Sequence, residues 1–134
     1  MTATPRIAGL DHLVLTVSDL IETLRFYQEV LGMRAEAFQP QDGSTRWALK
    51  FGAQKINLHQ AGREFAPCAQ SPAPGSADLC FLSDQPLDEW QAHLDRLEVE
   101  VELGPVRRTG AMGVILSLYL RDPDGNLIEI SNRV

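Results

Sequence analysis

Four side chains with metal-binding chemistry fall at matching places in a repeating order of elements. His12 opens an extended apolar run at 12–17, and Asp78 opens another at 78–82. His59 ends a segment at 54–59, and Glu129 lies within the last one, at 127–131. Imidazole nitrogens with carboxylate oxygens suit Ni, Zn, Co, Mn or Fe, and such a set leaves coordination positions open for a substrate. Each residue also has an ordinary reading. His12 and His59 serve equally as hydrogen-bonded or solvent-facing strand residues, and Asp78 as a turn residue at a strand edge. Glu129 stands between Ile128 and Ile130, where a carboxylate must either face solvent or find a cation. The joint placement is more specific than any single position.

The elements that must position these residues follow from the pattern around them. The run at 12–17 is rich in apolar and β-branched residues and reads as a strand. Asp19 with Glu22 fits a capping box, and Leu20, Leu24, Tyr27 and Leu31 follow at helical spacing. Gly32 ends that helix. Extended segments are expected at 33–38, 46–51 and 54–59, divided by the turn residues at 41–44 and 52–53. A Pro/Gly-rich stretch at about 61–75 reads as a linker, with Phe65 pinning it to the surface. The order then restarts: a strand at 78–82, a helix at 86–97 with Leu87, Trp90, Leu94 and Leu97 on one face, and extended segments at 99–103, 114–120 and 127–131. Such a restart is what an internal duplication leaves. The expectation is one α+β domain over 1–134, with two βαβββ modules (about 7–60 and 76–134) forming a curved mixed sheet around a shared cleft.

Composition narrows the function classes. With 134 residues, 44% of them hydrophobic, the chain can bury its own core, so a metal here would be functional rather than a structural staple. Twelve basic against eighteen acidic residues give a net charge of -6, and no basic cluster exceeds Arg107-Arg108. That balance argues against nucleic acid and against an anionic membrane surface. Neither a signal-peptide run in the first nine residues nor a membrane-length apolar stretch is present, which gives the expectation of a cytoplasmic protein. Cys80, in an apolar run, reads as a buried reduced thiol, and Cys68 as an incidental loop residue.

Two motifs carry a family likeness. They are the stretch from Leu10 to Asp19 followed by Phe26-Tyr27 and Val30-Leu31-Gly32-Met33, and the stretch from Leu120 to Ile130 containing Asp122-Pro123-Asp124-Gly125-Asn126. Together they resemble the vicinal oxygen chelate superfamily, which includes glyoxalase I, bleomycin and fosfomycin resistance proteins and extradiol dioxygenases. The stretches at 51–59, 74–78 and 104–111 further resemble the glyoxalase domain-containing protein 5 group and its bacterial virulence-associated relatives.

The resemblance implies roles for particular residues. His12 matches the family's first-strand metal ligand and Glu129 its last-strand carboxylate. Asp78 stands where many members have histidine, which makes the ligand set harder and weakens transfer of the ring-cleaving dioxygenase chemistry. Asn57 occupies the position of glyoxalase I's glutamate. His59, two residues on and on the same strand face, is the better ligand chemically and is preferred, with Asn57 as the fallback. The implied function is a glyoxalase-like, metal-dependent lyase or isomerase, in which Glu129, or secondarily His59, moves a proton on a small oxygenated substrate. The alternative is a non-catalytic ligand-sequestering protein of the bleomycin-resistance type, with extradiol ring cleavage as the weakest reading. Arg107 and Arg108, expected in a loop, could clamp an anionic substrate; Trp47 could line the pocket. A homodimer is implied, whether or not modules exchange between copies.

Overall fold

The computed structural model describes residues 3–134; Met1 and Thr2 lie outside it. The chain runs β1 (His12–Val17), α1 (Leu20–Glu29), β2 (Arg34–Phe38), β3 (Arg46–Phe51), β4 (Gln54–Gln60), β5 (Asp78–Leu82), α2 (Leu87–Arg96), β6 (Leu103–Gly110), β7 (Gly113–Arg121) and β8 (Leu127–Arg133). Two four-stranded mixed sheets result, ordered β1-β4-β3-β2 and β5-β8-β7-β6. In each, the first and last strands of the βαβββ unit pair in parallel and the other pairings are antiparallel. No helix among the described residues is long and apolar enough to cross a membrane.

Alternation along the strands explains the layering. Leu15 and Val17 of β1, Ile56 and Leu58 of β4, and Ile128 and Ile130 of β8 are buried at every second position. They join Tyr27, Leu94, Leu118 and Leu120 in one hydrophobic cluster fed by both halves. α1 packs on β2, β3 and β4, and α2 on β7 and β8, so one face of each sheet is covered by its helix. The opposite faces carry His12, Asn57 and His59 on the first sheet and Asp78 and Glu129 on the second.

Local chemistry sets the helix ends. The Asp19 carboxylate accepts from the Glu22 amide at 3.0 Å, and Gly32, at φ +70°, donates its amide to the Gln28 carbonyl beyond the end of α1. α2 has no cap of its own. Asn132 on β8 supplies one, accepting from the Leu87 amide at 3.0 Å and donating to the Ser83 and Gln85 carbonyls.

The halves are joined by a buried polar knot. Asp122, 6% exposed, accepts from the Tyr27 hydroxyl at 2.8 Å, the Asn126 side-chain amide at 2.7 Å, and the Asp124 and Asn126 backbone amides at 2.9 Å. Burial first, then the adjacent carboxylate, pushes the Tyr27 phenol far above its ordinary range. The motif at 122–126 is therefore a clasp between halves as well as a turn.

Two expectations need correction. The second strand of the second half lies at Leu103–Gly110 rather than 99–103, so Arg107 and Arg108 are strand residues and not loop residues. Gly104-Pro105 reads as a loop signal, but β6 is an edge strand, where proline is tolerated, and its register shifts between Leu103 and Val106. Gly104 takes φ +120°, and a Cβ there would collide with the Ser117 carbonyl oxygen, so only glycine fits this bulge. Second, Cys80 is exposed. Leu79 and Phe81 pack against the core, so the intervening Cys80 must face the other way.

Candidate functional site

Register decides which candidates share a face. β1 pairs His12 with Lys55, Val14 with Asn57 and Thr16 with His59. Directly paired residues project to the same side, so His12, Asn57 and His59 all lie on the helix-free face of the first sheet. In the second sheet β5 pairs Asp78 with Leu127 and Cys80 with Glu129, while β7 pairs Tyr119 with Glu129 and Ser117 with Ser131. Asp78, Glu129, Ser117 and Tyr119 therefore share the equivalent face. The structure thus brings the four candidate ligands together as two pairs, one on each sheet. Among the described residues no three His, Cys, Asp or Glu side chains converge within one copy of the chain.

Each pair has the donor chemistry of half a metal site. His12 is half-exposed, and its Nδ1 lies 2.8 Å from Asp11 Oδ2, leaving Nε2 without a protein hydrogen bond. The His12 hydrogen bond holds the Asp11 carboxyl below its usual range. On the second sheet the Ser117 hydroxyl donates to Glu129 Oε2 at 2.6 Å, with Ser131 at 3.5 Å from the same oxygen, leaving Oε1 open. Asn57 Oδ1 is buried and has no hydrogen-bond partner. An orphaned amide oxygen of this kind costs free energy unless something outside the protein satisfies it. A nitrogen, an amide oxygen and two carboxylates together fit a borderline divalent cation.

His59 sits differently. It is only 6% exposed, and Phe65 from the linker packs edge-on against it at 5.4 Å, with the Arg46 guanidinium 3.9 Å from the Phe65 ring centre. Burial, reinforced by Arg46, lowers the affinity of the His59 imidazole for a proton. Phe65 thus pins the linker as expected, and it does so over His59. Two residues nearer to His12 along β4, Asn57 is the closer donor in register.

A cleft of about 310 Å³ opens on the second sheet, lined by Asp78, Glu102, Leu103, Arg108, Tyr119, Leu127 and Glu129. Arg108 Nε donates to the Tyr119 hydroxyl at 2.9 Å. Arg107 pairs with Leu116 and so projects to the opposite face, away from Glu129; its carbonyl accepts from Arg108 at 3.1 Å. Trp47 pairs with Leu58 on the core-facing side of β3, opposite Asn57. Asp11, Ser117 and Tyr119 escape sequence reasoning. The available signals were adjacency to His12 and the period-two spacing of Ser117 and Tyr119 in β7. A larger cavity, about 640 Å³, lies between the end of α1 and α2 over Phe51, Phe81 and Trp90, and no sequence-predicted ligand lines it.

Comparison with known proteins bears on the fold and the family. The chain is 55% identical to the virulence protein STM3117 of Salmonella typhimurium over 125 residues, covering 93% of this chain and 84% of that protein. Its structure superposes on VPC_CASS1 from the mobile metagenome of V. Pseudocholerae with a TM-score of 0.93 at 53% identity, covering 98% and 99% of the two chains. A lactoylglutathione lyase from Agrobacterium tumefaciens matches at a TM-score of 0.68 and 28% identity over 95% of each chain. The sequence profile of the Glyoxalase/Bleomycin resistance protein/Dioxygenase superfamily matches residues 9–130, and the chain belongs to that family.

Proposed function

We propose that this chain is a glyoxalase-like lyase or isomerase that uses a divalent metal ion and acts on a small substrate chelated through neighbouring oxygens. The observation that carries the reading is the shared geometry of its two principal donors. His12 and Glu129 each have one polar atom tied to a neighbour, Asp11 or Ser117, while the other stays open. Metal-ligating side chains are oriented in this way by a second hydrogen-bonded partner. Asp78 and the orphaned Asn57 oxygen complete the set. With His59 covered by Phe65, Asn57 is the better fourth donor.

A bound cation supplies Lewis acidity at the substrate oxygens. The chain's own part is to hold and move a proton. Glu129, its Oε2 held by Ser117, is the group that would accept or return one.

The two donor pairs come together in a homodimer, the first sheet of one copy facing the second sheet of its partner. Val14 beside His12 is 45% exposed, and Leu103 in the module 2 cleft is 47% exposed. Apolar side chains bordering candidate ligands on both faces favour a covered surface, and a two-fold axis would build two equal sites.

Metal analysis of protein purified without chelators, cobalt titration by absorbance and sedimentation equilibrium test this together. Stoichiometric metal in a dimer is expected, with affinity lowered at least about tenfold in His12→Ala and in Glu129→Ala. Wild-type protein that cannot be loaded would sink the metalloenzyme reading and leave the ligand-sequestering one. Isomerisation of a glutathione hemithioacetal with nickel, cobalt or zinc then tests the reaction.

A further inference from the structure

We infer that the site selects a small substrate bearing a carboxylate, gripped by Arg108 and aligned by Tyr119. The inference rests on the proposed metal site for the position of the chelating oxygens, but its own observations are independent of any metal.

The cleft lining is acidic except for one group. Asp78, Glu102 and Glu129 all border it, yet Arg108 has no carboxylate within ion-pair distance among the described residues. The nearest competitor is already engaged. Arg121 takes both oxygens of Glu102, at 3.0 and 3.1 Å, in a two-pronged pair. Arg108 is therefore a cation left without a counter-ion in the cleft.

It is also held in place. Nε donates to the Tyr119 hydroxyl and Nη1 to the Arg107 carbonyl, which fixes the guanidinium at two points and leaves Nη2 free. Because the phenol oxygen accepts from Arg108, its own O–H remains to be donated elsewhere. Arg108 thus offers donors only and the Tyr119 phenol still has its O–H to give, the complement of an anion. Tyr119 stands directly opposite Glu129 across the β7–β8 ladder. An anionic group on Arg108 thus lies one residue pair away from the carboxylate proposed to hold the metal. That spacing, in about 310 Å³, suits a compact hydroxy- or oxo-acid. One unpaired guanidinium amid carboxylates matches a single negative charge, which favours a carboxylate over a phosphate dianion.

Calorimetric titration of the purified protein, with and without added cobalt, provides the test. The probes are lactate, its neutral analogue lactamide, and inorganic phosphate. Lactate should bind more tightly than lactamide. Arg108→Met should weaken lactate by roughly 10- to 100-fold, as expected for hydrogen bonds to a charged group, with lactamide and cobalt affinity unchanged. Tyr119→Phe should weaken lactate several-fold and leave lactamide alone, a discrimination that a merely structural role would not produce. Equal binding of lactate and lactamide while cobalt still loads would overturn this inference and leave the metal site standing. Loss of cobalt loading with the lactate preference intact would do the reverse. Phosphate binding tighter than lactate would overturn the carboxylate assignment.

Discussion

The two halves share strand order and differ in what each contributes. The first sheet presents nitrogen and amide donors, His12, Asn57 and the covered His59, beside Lys55. The second presents two carboxylates, Asp78 and Glu129, the latter held by the Ser117 hydroxyl, together with the Arg108–Tyr119 pair. Neither face alone holds both kinds of donor. Their supports differ as well. In the first half the cap on α1 is local, supplied by its own Asp19. The second borrows its α2 cap from Asn132 at the far end of the chain. Duplicated layouts can thus keep one fold while dividing the chemistry, provided that the contacts joining the halves are strong.

The clasp is the place to break that division. In Asp122→Ala, four hydrogen bonds are lost and the Tyr27 hydroxyl is left buried without its acceptor. Removing one member of such a buried charged network costs about 3 kcal/mol or more. Tyr27→Phe, which deletes only the hydroxyl, should cost about 1.5 kcal/mol. In urea unfolding the double variant should fall short of the sum, because both changes remove the same bond. Full additivity would mean that the clasp does not couple the halves.

The caps sharpen the contrast at a smaller scale. Asn132→Ala removes three bonds tying β8 to the start of α2 and should cost about 2 kcal/mol. Asp19→Ala removes one local cap and should cost about 1 kcal/mol. If Asp19→Ala proves the costlier in thermal or urea unfolding, the second half is not the one that depends on distant contacts.

Asp19, Gly32 and the alternation in β1 and β8 were legible because their signals are local: a cap, a φ-positive stop, a period of two. The repeated order of elements followed from them. β6 was misplaced because Gly104-Pro105 is a loop signal in isolation, and only the edge position and the bulge make it a strand. The site was legible as residue types but not as partners. That Arg108 turns toward Tyr119 while Arg107 turns away depends on the register of β6 against β7, which the sequence around Arg107-Arg108 does not state. Phe65 lies in the linker, and its contact with His59 is a tertiary event. Asp122 looked like turn chemistry, and its bond to Tyr27 spans 95 residues.

The smallest effect belongs to His59, the covered imidazole on the first sheet's face. Burial holds His59 below its ordinary pKa of 6.5, with Arg46 adding to the shift. The unfolded chain therefore binds a proton at His59 more readily than the folded one. Stability from this residue is fully present above about pH 6.5, declines as pH falls toward the folded-state pKa, and levels off below it. His59→Gln should flatten that part of the profile when urea-unfolding free energies are measured between pH 7.5 and pH 5. A slope left unchanged by His59→Gln would mean that burial does not hold its proton affinity down. Phe65 would then not be shielding His59, and His59 would regain its claim over Asn57 as the fourth donor.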